Sequence, residues 1–326
     1  MLIGTPAMKA LSLAALAFPA LSGSYVTFAA RRVAAAVLIA VLVCAITFVM
    51  LHVLSPQSFF DPRPLPTQLV DYLWSAFTQF DLGQSYQPPF RPVDDLIRER
   101  LGADLSLFIG AALFGIGAGV IGGVVVARRP RSKRAFLLNL LATFAICAPV
   151  YWVALLSLVL FGSGIGRVAD LGFLIDTGVY KPLLDDPIGW FGALLVPWMI
   201  AGAPLAAICL RLTASTMRDV DDDDFIRTAL AKGLSERRVA YRHTLPTAVG
   251  PTVSFAGAYA PLLVGNALLV EQVFNIPGVF RYTSGAVSNG DFPLLQGMVL
   301  VGALFVVFGN LIADLVLARL DPRTRI

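Results

Sequence analysis

Six uncharged apolar stretches, each long enough to cross a bilayer, constrain this chain more than any other feature of its sequence. A transmembrane helix needs about 20 apolar residues, and backbone groups in lipid must be hydrogen-bonded within the helix. The chain is 57% hydrophobic and 14% charged, whereas a soluble domain carries about a quarter charged residues. The sequence therefore predicts an all-α polytopic membrane protein with six transmembrane helices. The stretches lie at about 33–53, 105–127, 136–161, 187–210, 249–270 and 292–313.

Positive charge accumulates in every second segment that connects these stretches. The segment between the second and third stretches reads ARRPRSKRA, and the segment between the fourth and fifth is rich in arginine. Cytoplasmic segments of membrane proteins carry an excess of Lys and Arg. The pattern predicts a multi-pass protein of the cell membrane with both termini in the cytoplasm, which agrees with an even number of spans.

Residues 1–30 are expected to form an N-terminal extension that precedes a six-helix domain at 31–326. The apolar run Ala10–Gly23 is short for a span and resembles the core of a signal peptide. Cleavage of such a signal would leave Arg31 and Arg32 outside the cell, against the charge pattern of the other spans. We therefore expect an uncleaved extension or a start that is assigned too early.

Few acidic residues fall close to the predicted spans. Asp104 occupies the position of an N-cap for the second span. Glu271 and Asp314 lie near the ends of the fifth and sixth spans, where we expect both to reach the membrane interface, and Arg319 is a possible partner for Asp314. An ion-coupled transporter is expected to hold polar groups near the midplane. Their scarcity, with only Asn139 and Asn266 as weak candidates, argues against ion-coupled transport.

The sequence offers little support for an enzyme. Ser163 lies between glycines, but a serine nucleophile needs a histidine base nearby, and the chain has only His52 and His243. The predicted membrane separates His243 from Ser163. His52 could approach Ser163, but no Gly-x-Ser-x-Gly elbow surrounds the serine. The chain contains no phosphate-binding G-x-x-x-x-G-K-[ST] motif and no metal-binding motif. We therefore expect neither a catalytic residue nor a bound metal in this chain.

Glycine and proline recur inside the predicted spans. The run GIGAGVIGG covers Gly115–Gly123, and prolines occur at Pro149, Pro197, Pro204 and Pro261. Small residues allow close approach of helix backbones in membranes. The same residues could instead line a path that opens and closes, and the sequence leaves both interpretations open.

The polar segment 211–248, called loop 211–248 below, has a helical pattern of its own. It begins with the acidic run Asp221–Asp224, which suits the positive end of a helix dipole. Gly233 is a candidate C′ residue, and Ser235 can cap a second short helix. The segment is thus predicted to form two short helices that meet at Gly233. The apolar face of the first helix comprises Phe225, Ile226, Ala229 and Leu230.

Two functions fit this pattern equally well. The helices could lie on the membrane surface with their arginines against anionic lipid headgroups. They could instead dock into a groove on a cytoplasmic partner protein, which is a common mode of helix recognition.

The spacing G-x(9)-H-x-L-P, from Gly233 through His243 to Pro246, resembles the signature loop of permease subunits of binding-protein-dependent ABC importers. The wording FIRTALAKGLSERRVAYRHTLPTAVGP is most similar to the dipeptide, oligopeptide and nickel branch. The family's Glu-Ala-Ala triplet falls on Arg227-Thr228-Ala229, and a usual hydrophobic position falls on His243. The resemblance extends from about residue 30 to the end through DLGQSY, LLVEQVFNIPGVF and LARLDPRTRI.

This resemblance implies an ABC importer type I permease fold in which the loop is a coupling helix that docks on a separate ATPase. The implied partners are cytoplasmic ATPase subunits that bind ATP and Mg, a second homologous permease subunit, an extracytoplasmic substrate-binding protein and membrane lipid, with no nucleic acid. This chain would form half of a pathway for peptides, nickel chelates or similar small solutes in a prokaryotic cell membrane. The implied docking residues are Arg227, Thr228, Ala229, Gly233, Leu234, Arg237, Arg238, Leu245 and Pro246.

Two other functions compete with this assignment. An ion-coupled secondary carrier would transport solute without an ATPase. A membrane scaffold would use loop 211–248 to recruit a cytoplasmic partner, and blocking the loop would then change localisation without changing solute flux.

Overall fold

A computed structural model describes residues 25–54, 63–161 and 180–320 of the chain. Within these ranges the chain is almost entirely helical and forms no β-strand. The all-α prediction is therefore confirmed. The helices are α1 Tyr25–Leu54, α2 Leu65–Trp74, α3 Val93–Arg128, α4 Lys133–Cys147, α5 Val150–Phe161, α6 Pro187–Asp221, α7 Asp224–Ala231, α8 Glu236–Val239, α9 Leu245–Ala248, α10 Gly250–Ala258, α11 Ala260–Phe274, α12 Thr283–Ser288 and α13 Phe292–Leu320.

Four of these helices, α1, α3, α6 and α13, are each long and apolar enough to cross a membrane. The α4–α5 pair is bent by 112° and the α10–α11 pair by 55°, and each pair passes the same test when its two helices are taken together. The count rises from four to six when each bent pair forms one span, so it is consistent with the predicted six.

The two bends were not expected, because the sequence suggested unbroken helices at 136–161 and 249–270. Proline explains the first one. Ala148 precedes Pro149 and has an extended backbone, with φ −78° and ψ 131°, as the proline ring requires of its neighbour. In the second pair, Pro261 lies in the first turn of α11, a position that tolerates the missing N–H. Pro197 and Pro204, in contrast, leave α6 continuous.

Helices α3 and α6 pack with their backbones in close approach. A Cβ atom added at Gly119 would lie 2.7 Å from the carbonyl oxygen of Ala206, and one at Gly123 would lie 2.8 Å from that of Leu210. Real Cβ atoms do not approach so closely, so these positions require glycine. For these glycines of the Gly115–Gly123 run, the structure supports the packing interpretation.

The two ends of the bundle carry different connections. One end, called the loop end, carries the segment 222–249 between α6 and α10. The opposite end carries the segments 75–92 and 275–291. At the loop end, α6 continues to Asp221, well beyond the predicted limit near residue 210, so Arg211 and Arg218 belong to the helix.

Two expectations about acidic residues were wrong, and the expected pairing of Asp314 with Arg319 stays a prediction. Asp104 is not an N-cap, because α3 already begins at Val93. Glu271 does not reach the interface but is fully buried. Asp314 forms an ion pair with Arg32 at 2.9 Å, whereas the side chain of Arg319 lies outside the described residues. The same is true of Ser163.

Candidate docking surface on loop 211–248

The acidic run Asp221–Asp224 connects α6 to α7, and its aspartates make different contacts. The Asp221 carboxylate accepts a hydrogen bond from the Thr244 hydroxyl at 2.8 Å. The Asp223 carbonyl accepts from the backbone N–H of Ile226 at 3.1 Å at the start of α7. Asp224 lies in the first turn of α7 and faces Arg227 at 3.6 Å. The run therefore begins one helix and also ties the far end of the loop to α6.

A Schellman turn ends α7. Gly233 has φ +80° and donates its N–H to the Leu230 carbonyl at 2.9 Å, while the Leu234 N–H reaches the Ala229 carbonyl at 3.4 Å. This pair of bonds defines the motif, and glycine is favoured at its C′ position because that position has positive φ. A Cβ at Gly233 would meet nothing within 4 Å. The requirement for glycine is thus conformational and not steric.

A second short helix follows directly. The Ser235 hydroxyl accepts a hydrogen bond from the Arg238 backbone N–H at 3.4 Å and caps α8. A π-helical turn, Ala240–Thr244, then leads into α9. The predicted pair of helices meeting at Gly233, with Ser235 as the second cap, is confirmed.

Hydroxyl groups attach the chain that follows the loop, around Ala248 and Thr252, to α6. Thr216 donates to the Ala248 carbonyl at 2.9 Å. Thr213 and Thr252 share a fully buried hydrogen bond at 3.0 Å. Together with the bond from Thr244 to Asp221, these contacts hold the start of α10 and the base of the loop against one helix.

Apolar packing strengthens this base. Ile226 is 2% exposed and anchors α7. Ala240 and Ala248 belong to a buried cluster with Met217 of α6, and the half-buried Leu245 packs against that cluster. The cluster also contains residues from the adjoining ends of α3 and α4, namely Val124, Val126, Ala127 and Ala135.

The structure places the nine predicted docking residues in two groups. Three of them, Ala229, Leu234 and Leu245, are half-buried and build the turn or the base. The others form an exposed rim in which the cations project from both short helices. The exposed group comprises Arg227, Thr228, Gly233, Arg237, Arg238 and Pro246.

Known families and relatives identify the chain. Residues 119–326, which include all of loop 211–248, match the family described as the binding-protein-dependent transport system inner membrane component. This chain belongs to that family. It is thus a membrane-embedded permease subunit of a transport system and not an enzyme, as the sequence predicted.

Individual relatives of the permease agree with this assignment. A putative peptide transport system permease protein of Brucella abortus is 33% identical over 316 residues, which cover 90% of this chain and 98% of the relative. An oligopeptide transport system permease protein of Bacillus subtilis is 32% identical, covering 78% of this chain and 80% of the relative. A dipeptide transport system permease protein of Alkalihalophilus pseudofirmus is 32% identical, covering 75% and 77%.

The permease also exposes apolar side chains in the loop that the docking prediction missed. Phe225 is 45% exposed, Leu230 is 43% exposed and Tyr241 is 49% exposed. Phe225 and Leu230 flank the buried Ile226 on α7, so the predicted apolar face is only partly covered. The sequence did contain this information, because the predicted apolar face of α7 has more large side chains than the one that is buried, Ile226. Interfaces between proteins commonly combine aromatic residues and arginine.

The exposed part of the loop is rich in arginine and also carries aromatic side chains. Among the described residues, no group of three or more His, Cys, Asp or Glu side chains could hold a metal ion. Arginine and aromatic side chains on short, capped helices instead suit recognition of another protein.

Proposed function

We propose that this permease is one of two transmembrane subunits of an ATP-driven importer, and that loop 211–248 docks on a cytoplasmic ATPase subunit. One observation carries the proposal. The rim of the loop exposes Arg227, Arg237 and Arg238, whereas its base is fixed to α6 by buried hydrogen bonds and apolar contacts. A surface of this kind can bind a partner and pass the partner's displacement to the spans.

The proposed transmission runs through α6 and α10. Helix α6 is continuous over 35 residues, which corresponds to about 52 Å at 1.5 Å per residue. Because Asp221 and Thr216 of α6 contact Thr244 and Ala248 at the end of the loop, a push on α7 and α8 reaches both helices. Movement of packed helices as rigid bodies is a usual form of switching between states.

Peptides or similar small solutes are the proposed cargo, because the relatives named above are peptide, oligopeptide and dipeptide transport permeases. An extracytoplasmic binding protein would deliver the cargo. A second, homologous permease would complete the pathway, and the ATPase subunits would supply the ATP and Mg sites. Uptake of labelled di- and oligopeptides, with a nickel chelate as competitor, would distinguish peptide cargo from metal chelates.

The proposed location is a prokaryotic cell membrane with both termini and loop 211–248 in the cytoplasm. The concentration of arginine at the loop end supports this orientation. A cysteine placed at the exposed Thr228, in a background without Cys44, Cys147 and Cys209, should react with a membrane-impermeant reagent only in opened or inverted vesicles. Labelling in intact cells would instead indicate that loop 211–248 lies outside the cell.

The docking proposal is tested by charge reversal on the rim. We expect the double substitution Arg237→Glu and Arg238→Glu to reduce ATPase co-purification and uptake at least about tenfold, while membrane insertion remains normal. Removal of a charged group that contacts a partner costs about 2–5 kcal/mol when its partner group stays buried, and about 1.4 kcal/mol already corresponds to tenfold.

Arg242→Glu is the matched control, because Arg242 is exposed in the same loop and is not among the proposed docking residues. It should leave co-purification within about twofold of wild type, less than 0.5 kcal/mol. Equal loss in the control and the double variant would indicate a diffuse charge effect. Normal co-purification in the double variant would contradict docking through this rim.

A further inference from the structure

Two buried carboxyl groups meet at the opposite end of the bundle, far from the loop. Asp104 of α3 is 1% exposed and Glu271 of α11 is 0% exposed. A Cβ at Gly278 would lie 2.5 Å from the Oε1 atom of Glu271 and closer still to Oδ1 of Asp104. The two carboxyl groups therefore converge on one point beneath the segment 275–291.

Their hydrogen bonds differ. Both oxygens of Asp104 accept from the Val279 backbone N–H, at 3.1 Å and 2.9 Å. Neither oxygen of Glu271 has a hydrogen-bond partner among the described residues. The amides of Phe280 and Arg281 lie near the Glu271 carboxyl without forming a hydrogen bond to it. Glu271 is thus an unpartnered buried carboxyl group directly beside Asp104.

Two ionised carboxylates are not stable in such a place. Burial removes the water that would solvate the charges, and like charges in contact raise the free energy further. A single shared proton removes both problems, because a neutral carboxyl can donate a hydrogen bond to a carboxylate. Asp104 is the acceptor in this arrangement, since the Val279 N–H already favours its ionised form.

The surrounding charges leave this arrangement intact. Arg100, one turn before Asp104, faces it electrostatically. Its guanidinium also contacts the Leu96 carbonyl and Glu99, and it lies 4.6 Å from the centre of the Tyr282 ring. Within the described part of the chain, Tyr180 is the titratable group that faces Asp104 besides Glu271. Arg100 is the cation that faces Asp104 there, and because it can balance one carboxylate, the second carboxyl group is neutral in this arrangement.

We propose that Asp104 and Glu271 form a one-proton binding site in which neutral Glu271 donates to Asp104, and that this proton fastens the segment 275–291 to α3 and α11. The site does not depend on the docking function of loop 211–248. Loss of the proton would place two charges beneath Gly278 and would release the segment from the bundle.

Infrared difference spectroscopy of the purified permease tests the proton directly. Wild-type protein at neutral pH should show the carbonyl band of an un-ionised carboxyl group, and Glu271→Gln should lack it. Absence of the band in wild type, or its persistence in Glu271→Gln, would overturn the proposal. Neither result requires transport activity, so this test can fail while the proposed function stands.

The rate of backbone hydrogen exchange in the segment 275–291 tests whether the shared proton holds that segment against α3 and α11. Glu271→Gln keeps a neutral donor of the same shape, and exchange should stay within about twofold of wild type, a difference under 0.5 kcal/mol. Glu271→Ala removes the donor, and we expect exchange at least tenfold faster, about 1.4 kcal/mol. Equal exchange in the Gln and Ala variants would overturn the fastening role.

Gln272→Ala is the matched control. Gln272 precedes the same segment and donates to the Arg281 carbonyl at 2.8 Å, so its loss should loosen the segment without affecting the shared proton. The carboxyl band should therefore remain in Gln272→Ala while exchange becomes faster. Loss of the band in this control would show that the band reports the segment's packing, which would also overturn the assignment.

Discussion

The loop end and the opposite end of the permease fix their connecting segments by different chemistry. At the loop end, hydroxyls of Thr213, Thr216 and Thr244 hold the chain around Ala248 and Thr252 against α6, and the carboxylate that accepts from Thr244 belongs to Asp221, an exposed residue. At the opposite end, carboxyl groups are buried, and those of Asp104 and Asp291 accept hydrogen bonds directly from backbone N–H groups.

If loop 211–248 docks on a partner as proposed, the loop end presents its charges to another protein, whereas the opposite end uses its carboxyl groups to hold segments of the same chain. A charged group left in water costs little and remains available to another protein. A buried charge is strongly destabilising when it loses its partner. Displacement of segment 275–291 from Asp104, or of segment 75–92 from Asp291, would therefore cost much free energy. We therefore expect substitutions to impair coupling at the loop end and folding stability at the opposite end.

The largest effect is expected at the turn of the loop. Gly233→Pro cannot adopt φ +80° and loses the N–H that bonds to Leu230, so ATPase co-purification and uptake should be abolished while insertion continues. Gly233→Asn is the control, because Asn tolerates the left-handed conformation and the site is open. Uptake that persists in Gly233→Pro would refute the coupling role.

The next largest effect is expected at Asp291. Its carboxylate is buried and accepts from the Ser85 hydroxyl at 2.5 Å and the Tyr86 backbone N–H at 3.2 Å. Asp291→Ala should reduce the free energy of unfolding by about 1.5–3 kcal/mol, measured as a lower thermal midpoint in detergent. Asp81→Ala, in the same region but at an exposed carboxylate, should change it much less, and an equal change would contradict the comparison.

A hydroxyl pair gives a smaller effect that a double substitution can largely restore. Thr213→Val alone leaves the buried Thr252 hydroxyl unpaired, at a cost of about 1–3 kcal/mol. Replacing both threonines with valine should cost less than the sum of the single substitutions, because no polar group then remains unpaired. Strict additivity in the thermal midpoints would show that the two hydroxyls do not depend on each other.

The smallest effect is expected at a half-buried carboxylate, that of Asp186, at the start of α6. The Gly189 N–H, and then Lys181, hold the pKa of Asp186 below its usual value. Its stabilising contribution is therefore present above the pKa of the unfolded chain and is lost as pH falls through the folded value. Asp186→Asn should lower the thermal midpoint slightly at neutral pH and not at strongly acidic pH. Asp185→Asn changes the neighbouring exposed carboxylate and is the control, and an equal loss at neutral pH in this variant would show that the effect is not specific to Asp186.

Local sequence patterns predicted the spans and the shape of the loop. Gly233 and Ser235 act through contacts within five residues, and such contacts follow from residue type and spacing. The 112° bend between α4 and α5 was missed, although Pro149 marks its position, because a proline in a span can also leave a helix continuous, as Pro197 does.

The buried carboxyl groups were misplaced for a different reason. Asp104 contacts Val279, which is 175 positions away in the chain, and no local pattern reports such a meeting. Local patterns therefore predict an N-cap role for Asp104 and an interface position for Glu271, because acids near the ends of spans usually have these roles. The docking roles of the exposed loop residues remain predictions, since they concern contacts with a second protein.

The backbone contact between α3 and α6 also limits how the permease can move. At Gly119 and Gly123 the facing atoms of the other helix are a backbone carbonyl oxygen and the Cβ atom of Cys209 or Thr213, and a change of side-chain rotamer moves neither. We therefore expect α3 and α6 to move together as one rigid unit if the proposed pathway opens.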